Sequence, residues 1–265
     1  MISVITATHK RPDLLLKCIR SLQSQTVSDY EHIIFSDHCP KAKKVYDLVK
    51  EDSRITFYEN PKPHIWNAGA VGKHFGVEAA RFNYICYCDD DNILLPNHLQ
   101  VMENNFRLGS EVVFTKNLIV DFKDYINKKE SSANEVVQEI LKFREADIVN
   151  SSRVVKPLYL EYGDYKFIPF DTGCIGHSKE IYRKTKQWKP AYKINTNNED
   201  GYFITSVKIE AEEERVVYDR TYTSLYFLTN ASSNIKDNLY QNKFENLKED
   251  DIFVYPELLT KLSLL

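Results

Sequence analysis

Apolar residues first cluster in a short run, Ile2-Ser3-Val4-Ile5, that leads into Thr6-Ala7-Thr8. A short, mostly apolar run with β-branched residues predicts a buried strand over residues 2–7. His9-Lys10-Arg11-Pro12-Asp13 breaks the pattern as a loop, and Pro12 suits the first turn of a helix. From Leu14 to Gln23 the period changes, because Leu15, Leu16, Ile19 and Leu22 recur at helical spacing. Tyr30 to Ser36, containing His32-Ile33-Ile34-Phe35, predicts a second strand that ends on Asp37. A helix around 41–51, a strand over Ile55–Tyr58, a helix over 69–81 and a strand over Asn83–Cys88 follow. Pro96 is expected to open a helix through Phe106, and Glu111–Thr115 to form another strand. Strands and helices alternating in this way predict an α/β fold with a mostly parallel sheet and covering helices.

The pattern weakens beyond residue 120. Residues 121–150 are charged and polar, with Lys128-Lys129-Glu130-Ser131-Ser132 as a loop, and are expected to be an insertion or a flap. Order is expected to resume at Phe167-Ile168-Pro169-Phe170 and to pass through Asp171-Thr172-Gly173-Cys174-Ile175-Gly176 into a helix over Lys179–Thr185. A polar turn, Asn195–Asn198, leads to Glu199-Asp200-Gly201, a helix over 202–209 and one or two strands over Arg215–Tyr226. The tail ends in Leu258, Leu259, Leu262, Leu264 and Leu265. It reads as a terminal helix on its own domain, with an oligomer contact or a shallow membrane anchor as alternatives.

Composition narrows the class. The chain has 265 residues, 43% hydrophobic and 12% aromatic, enough for one large α/β domain. A formal charge of −3 supplies no basic field and argues against a nucleic-acid binder. Cys18, Cys39, Cys86, Cys88 and Cys174 lack zinc-site spacing and are expected to be reduced thiols. No apolar run is long enough to cross a bilayer, and the expected location is the cytoplasm.

The chemistry concentrates where the fourth predicted strand ends: Tyr84-Ile85-Cys86-Tyr87-Cys88 runs into Asp89-Asp90-Asp91-Asn92. Three adjacent carboxylates repel one another and gain by holding a hard cation such as Mg²⁺ or Mn²⁺, usually together with substrate phosphates. The position fits, since open α/β sheets bind ligands at the carboxyl ends of their strands. The competing reading is a solvated acidic turn or helix cap.

Several separated segments together resemble family 2 glycosyltransferases, including the spore-coat polysaccharide type. Ser3–Thr8 with Arg11-Pro12 and Ser21-Leu22-Gln23-Ser24-Gln25-Thr26 is similar to the start of that family. Tyr30–Asp37 resembles its base-recognition strand, Tyr84–Pro96 its DXD segment, and Asn198-Glu199-Asp200 its catalytic ED motif. The resemblance covers roughly residues 1–230. It implies the GT-A fold, with a nucleotide-binding half over 1–116, an acceptor-binding and catalytic half over 151–230, and a tail over 231–265. It also implies inverting transfer of a sugar from a UDP- or dTDP-sugar to a hydroxyl of a glycan or lipid-linked saccharide. Peripheral contact with the inner face of a membrane and a homo-oligomer are compatible with such a protein.

The resemblance assigns roles residue by residue. Asp91 matches the metal-contacting position, with Asp89 as a further ligand and Asp89 and Asp90 as ribose or neighbouring partners. Asp200 matches the general base, and Glu199 is the second choice or the group that orients it. Asp37 would accept N3–H of uracil or thymine, which cytosine lacks; a turn-capping Asp is the alternative. Thr6 and Thr8 would wall the base pocket, and Arg11 would reach the nucleotide unless it is a surface arginine. Lys73, expected at a helix start, suits a phosphate, with a solvated lysine as the alternative. Asp171, Thr172 and Gly173 would line the donor-sugar and acceptor pocket. Trp66 and Trp188 are candidates for stacking on sugars, or core aromatics. His177 is a candidate ligand, or a satisfied structural histidine. Tyr226-Phe227-Leu228-Thr229-Asn230 lacks the histidine that some GT-A enzymes place there as a further metal ligand.

Two other classes share features of the chain. A sugar-phosphate nucleotidyltransferase would show a glycine-rich basic loop after the first strand, and Thr8-His9-Lys10-Arg11-Pro12 has no glycine. A non-catalytic nucleotide-sugar-binding subunit would need no Glu199-Asp200 pair.

Overall fold

The computed structural model describes residues 1–60, 68–121, 172–185, 187–188 and 199–228. The expected flap at 121–150 (apart from Asp121), the Phe167–Phe170 segment, Asp171, Trp66, the turn at 195–198 and the tail over 231–265 lie outside them.

The first half follows the alternation. β1 (Ile2–Thr8), α1 (Pro12–Gln23), β2 (Tyr30–Asp37), α2 (Pro40–Asp47), β3 (Ile55–Asn60), α3 (Ala68–Ala79) and β4 (Tyr84–Tyr87) come in that order. β5 (Ile93–Leu94), α4 (His98–Arg107) and β6 (Val112–Asp121) follow. A 3-10 turn (Thr172–Cys174) opens β7 (Ile175–Ser178), and α5 (Lys179–Lys184), α6 (Glu199–Glu210) and β8 (Val216–Leu228) complete the described chain.

Three expectations shift. Pro96 does not open the helix, which begins at His98 behind Asn97. α6 begins at Glu199, so Glu199 and Asp200 lie within its first turn instead of preceding it. β6 and β8 are long partners, paired in parallel from Val112↔Val216 to Asp121↔Leu228, where sequence showed only a short strand and an ambiguous one.

The eight strands among the described residues form one sheet in the order β3-β2-β1-β4-β7-β6-β8-β5. β3, β2, β1 and β4 are parallel, and β7 enters antiparallel between β4 and β6. Every residue of β1 is buried, including Ser3, Thr6 and Thr8, as expected of a strand covered on both faces.

On one face, Ile5, Ile33, Ile85 and Tyr87 pack with Ala70 and Val77 of α3 and Phe203 of α6. On the other, Leu15, Leu16 and Ile19 of α1 pack with Ile34 and Val45, while Leu22 packs with Cys86, Cys88 and Met102. Each fully buried side chain of this size contributes about 1.5–3 kcal/mol. All five cysteines are buried thiols. No helix among the described residues is long and apolar enough to cross a membrane.

α3 lies unusually close to the sheet. A Cβ at Gly72 would stand 2.8 Å from the Phe35 ring and 2.9 Å from Ala7, and one at Gly76 would stand 2.4 Å from Ile5. Only glycine permits that approach. The approach matters because Lys73 shares the inward stripe of Ala70 and Val77.

Candidate active site

β1, β2, β3 and β4 all point their carboxyl ends at the same edge of the sheet. Because β7 runs antiparallel beside β4, the turn that opens it reaches that edge too. Asp89, Asp90 and Asp91 therefore sit where five strands converge, and two cations reach them from opposite sides.

Arg11 lies at the entrance to α1 and forks across two carboxylates. Its Nη2 is 2.6 Å from Asp90 Oδ1 and its Nη1 is 2.5 Å from Asp91 Oδ2. Thr8 donates to Asp90 Oδ2 at 2.7 Å. Asp90 is fully buried, whereas Asp91 keeps 23% of its side chain exposed. Burial pushes the Asp90 carboxyl up to about 7; Arg11 opposes the shift, and Asp91 and Asp89 add to it. Arg11 is held above its ordinary range, since these carboxylates outweigh its own burial. It is not a solvated surface arginine, since its guanidinium is held by these two carboxylates.

Lys73 forms the second junction. Its ammonium is 2.9 Å from Asp89 Oδ1 and 3.1 Å from Asp200 Oδ1, and it donates to Thr172 Oγ1 at 3.1 Å. The Thr172 hydroxyl donates on to Asp89 Oδ2 at 3.2 Å. Four elements thus meet at one side chain: α3, the end of β4, the 3-10 turn and α6. The Lys73 side chain is 5% exposed and stands in the second turn of α3, so it is neither a solvated lysine nor a residue at a helix start. Burial alone would lower its pKa, but Asp200 and Asp89 raise it above the ordinary range.

The two carboxylates that share Lys73 are not equivalent. Burial acts to raise both. Asp89 ends below its ordinary value because Lys73, Arg11 and the Thr172 hydroxyl all favour its charged form. Asp200 ends above its ordinary value, since Lys73 is offset by burial and by the neighbouring negative charge of Asp89. Its side chain is 35% exposed. Asp200 is thus the more proton-accepting and the more accessible of the two.

The remaining expected residues fall around these junctions. Asp37, 1% exposed, ends β2 and accepts from Asn60 Nδ2 at 2.8 Å. Asn60 ends β3 in register with Asp37, so the length of the third strand was the available signal for this partner. His9 Nδ1 donates to the Asp37 carbonyl at 2.9 Å. Thr6 does not reach the carboxylates with its side chain; its hydroxyl donates to the Cys88 carbonyl at 2.7 Å and accepts from His32 Nε2 at 2.8 Å. Thr172 and Gly173 are buried in the turn. Glu199 opens α6, and its side chain lies outside the described set.

His177 is a structural histidine, buried, with a pKa lowered to about 4 by that burial. Its partners are Tyr87 Oη at 2.8 Å and the Ser178 carbonyl at 3.0 Å. Trp188, only 4% exposed, is packed in the core and offers no face to a sugar.

Residues 3–184 match the family described as Glycosyl transferase family 2. An uncharacterised glycosyltransferase of Methanocaldococcus jannaschii is 32% identical over 173 residues, 61% of this chain and 57% of that protein. The GalNAc(5)-diNAcBac-PP-undecaprenol beta-1,3-glucosyltransferase of Campylobacter jejuni is 33% identical over 121 residues, 44% of this chain and 38% of that protein. The matches thus span less than two thirds of either relative. Among solved structures, S. aureus TarS residues 1–349 in complex with UDP-GlcNAc superposes with a TM-score of 0.62 at 10% identity, covering 95% of this chain and 69% of that 1–349 chain. The mannosyltransferase PcManGT of Pyrobaculum calidifontis, in complex with GDP-Man and Mn²⁺, gives 0.55 at 10% identity, covering 99% and 68%. Likeness at that identity speaks to the fold alone, and the fold is the GT-A fold.

Proposed function

The chain belongs to glycosyl transferase family 2, and on that premise we propose that it moves a sugar from a UDP- or dTDP-sugar to a hydroxyl of a glycan or lipid-linked saccharide, with inversion. The observation that carries the reading is the accessible, proton-accepting carboxylate of Asp200 held by Lys73 beside the Asp89–Asp91 run. A binding site alone has no use for such a group.

Each residue then has a task. Asp200 takes the proton from the acceptor hydroxyl as it attacks. Lys73 holds the base in place, and Glu199 orients the helix start around it. Asp37, steadied by Asn60, accepts N3–H of the base, with Thr6 and Thr8 lying along the wall of that pocket. Asp171, Thr172 and Gly173 line the space for the donor sugar. Residues 1–116 form the nucleotide half of the site, and 151–230 the acceptor half.

The cluster also fits a divalent cation. Among the described residues, Asp89, Asp90, Asp91 and Asp200 meet the two cations Arg11 and Lys73, four carboxylates against two positive charges. Among the described residues no three His, Cys, Asp or Glu side chains already surround one point. Mg²⁺ and Mn²⁺ are commonly held by one or two carboxylates together with substrate phosphates. Asp91 and Asp89 would hold Mn²⁺ or Mg²⁺, which would supply Lewis-acid stabilisation to the departing diphosphate.

Calorimetry of UDP binding with and without Mn²⁺ tests the reading. Mn²⁺ is expected to tighten UDP about tenfold or more in the wild type, equivalent to roughly 1.4 kcal/mol. Asp91→Ala should remove most of that gain. Equal affinity with and without the ion would discard the metal assignment.

A further inference from the structure

We propose that Trp188 is a positioning residue of the transfer reaction: one indole ring touches the three elements that carry Asp89, Lys73 and Asp200, and fixes the ammonium between the two carboxylates. The proposal rests on the function argued above and adds a residue to it.

The contacts are specific. The Lys73 ammonium stands 4.8 Å from the Trp188 ring centroid, within the range of a cation–π contact. The same ring stacks on Phe203, with centroids 4.0 Å apart and planes at 24°. Phe203 lies in α6, three residues after Asp200, so the stack braces the helix that delivers the proposed base. The indole Nε1 donates to Tyr87 Oη at 2.9 Å. Tyr87 ends β4, two residues before Asp89.

The hydrogen-bond chain behind the ring runs in one direction. His177 Nδ1 faces the Ser178 carbonyl at 3.0 Å and must carry its proton there. Its Nε2 is then bare and accepts from Tyr87, whose oxygen in turn accepts from Trp188. Each polar group in the chain is satisfied in one tautomer, so the indole edge has a single orientation and its face stays under Lys73. This gives a reason for the lysine geometry. A four-carbon stem bearing a point charge has many ways to favour one carboxylate over the other. A flat, electron-rich floor leaves it centred.

The test compares Trp188→Leu, which removes the floor, with Trp188→Phe, which keeps a ring but loses the indole N–H. The first readout is acylation of Lys73 by an amine-reactive anhydride, followed by mass spectrometry. Trp188→Leu should expose Lys73 to labelling about tenfold faster than wild type, and Trp188→Phe only slightly faster. The second readout is steady-state transfer. Trp188→Leu should lower kcat by about 10- to 100-fold, with donor KM within about twofold, and Trp188→Phe should recover most of the loss.

Labelling of Lys73 in Trp188→Leu at the wild-type rate would overturn the proposal. So would a loss that falls wholly on donor KM, or equal kcat losses in both variants, as expected of a merely structural tryptophan. Should Trp188→Leu fail to fold, Trp188→Met supplies bulk without a ring and is read the same way. A wild-type protein that transfers no sugar would count against the function argued above; the labelling ratio would then still decide whether the ring fixes Lys73.

Discussion

Two ion clusters stand side by side at one sheet edge, built from one run of aspartates, and they are constructed differently. On one side, Arg11 forks over Asp90 and Asp91, and Thr8 joins them, so these partners come from residues 8–91. On the other side, Lys73 is shared by Asp89 and Asp200 through a single ammonium, joining residues 127 apart in sequence. A planar guanidinium fixes two carboxylates in set directions, while an ammonium is a point charge that can shift between them. Asp90 in the first cluster is sealed from solvent, whereas both carboxylates of the second keep exposed surface. The contrast separates a clamp, which holds the edge together, from a junction whose carboxylates stay partly open to solvent.

The largest expected effect tests the junction. Asp200→Asn keeps shape but cannot take a proton, and turnover should fall by about 10²–10⁴-fold. UDP affinity and the urea midpoint should stay near wild type. Persisting turnover, or a large loss of stability, would erase the distinction between the two clusters.

Arg11→Met tests the clamp from the other direction. It leaves Asp90 buried without its cation, and stability should fall by about 3 kcal/mol in urea titration. Arg11→Lys should recover less than half of it, because one ammonium cannot replace the fork. A neutral result would mean that Asp90 needs no clamp.

The smallest effect concerns what lies beneath each cluster. His32 bonds to Thr6 under the clamp, and His177 bonds to Tyr87 under the junction. Burial lowers their pKa values from 6.5 to about 3 and about 4. The unfolded chain therefore binds protons that the folded chain refuses. Their contribution to stability is complete above about pH 6.5 and is lost as pH falls toward 4, at most about 1.4 kcal/mol per pH unit for each group. His32→Gln and His177→Gln should each flatten the melting temperature measured across that window. A slope unchanged in both would show that these histidines are protonated in the folded protein.

The first half of the fold was legible because β1 to β4 alternate with helices and each apolar stripe reports its own burial. Periodicity is local, however. It could not show that β6 and β8 pair over their whole length, nor that β7 runs antiparallel, since those pairings join distant segments. The acidic run and Glu199-Asp200 stood out as residue types. Their link through Lys73 did not, although a charge at the inward spacing of Ala70 and Val77 was a usable sign. A lysine in an apolar stripe implies a buried partner. Arg11 gave no comparable sign, because a basic residue in a loop looks the same whether it faces water or Asp90. Trp188 read correctly as a core aromatic, but its contact with Lys73 needed the tertiary structure.

The antiparallel course of β7 has a consequence for how the protein is made. Both cations and three of the four carboxylates leave the ribosome early, so Arg11 and Lys73 can neutralise the acidic run as soon as β4 docks. Thr172 follows Asp89 by 83 residues, and Asp200 follows Lys73 by 127. Contacts across such separations close late, because so much chain must be ordered first. A nascent or half-folded chain thus holds the negative charge of its acidic run in check before Asp200, the proposed base, can join Lys73.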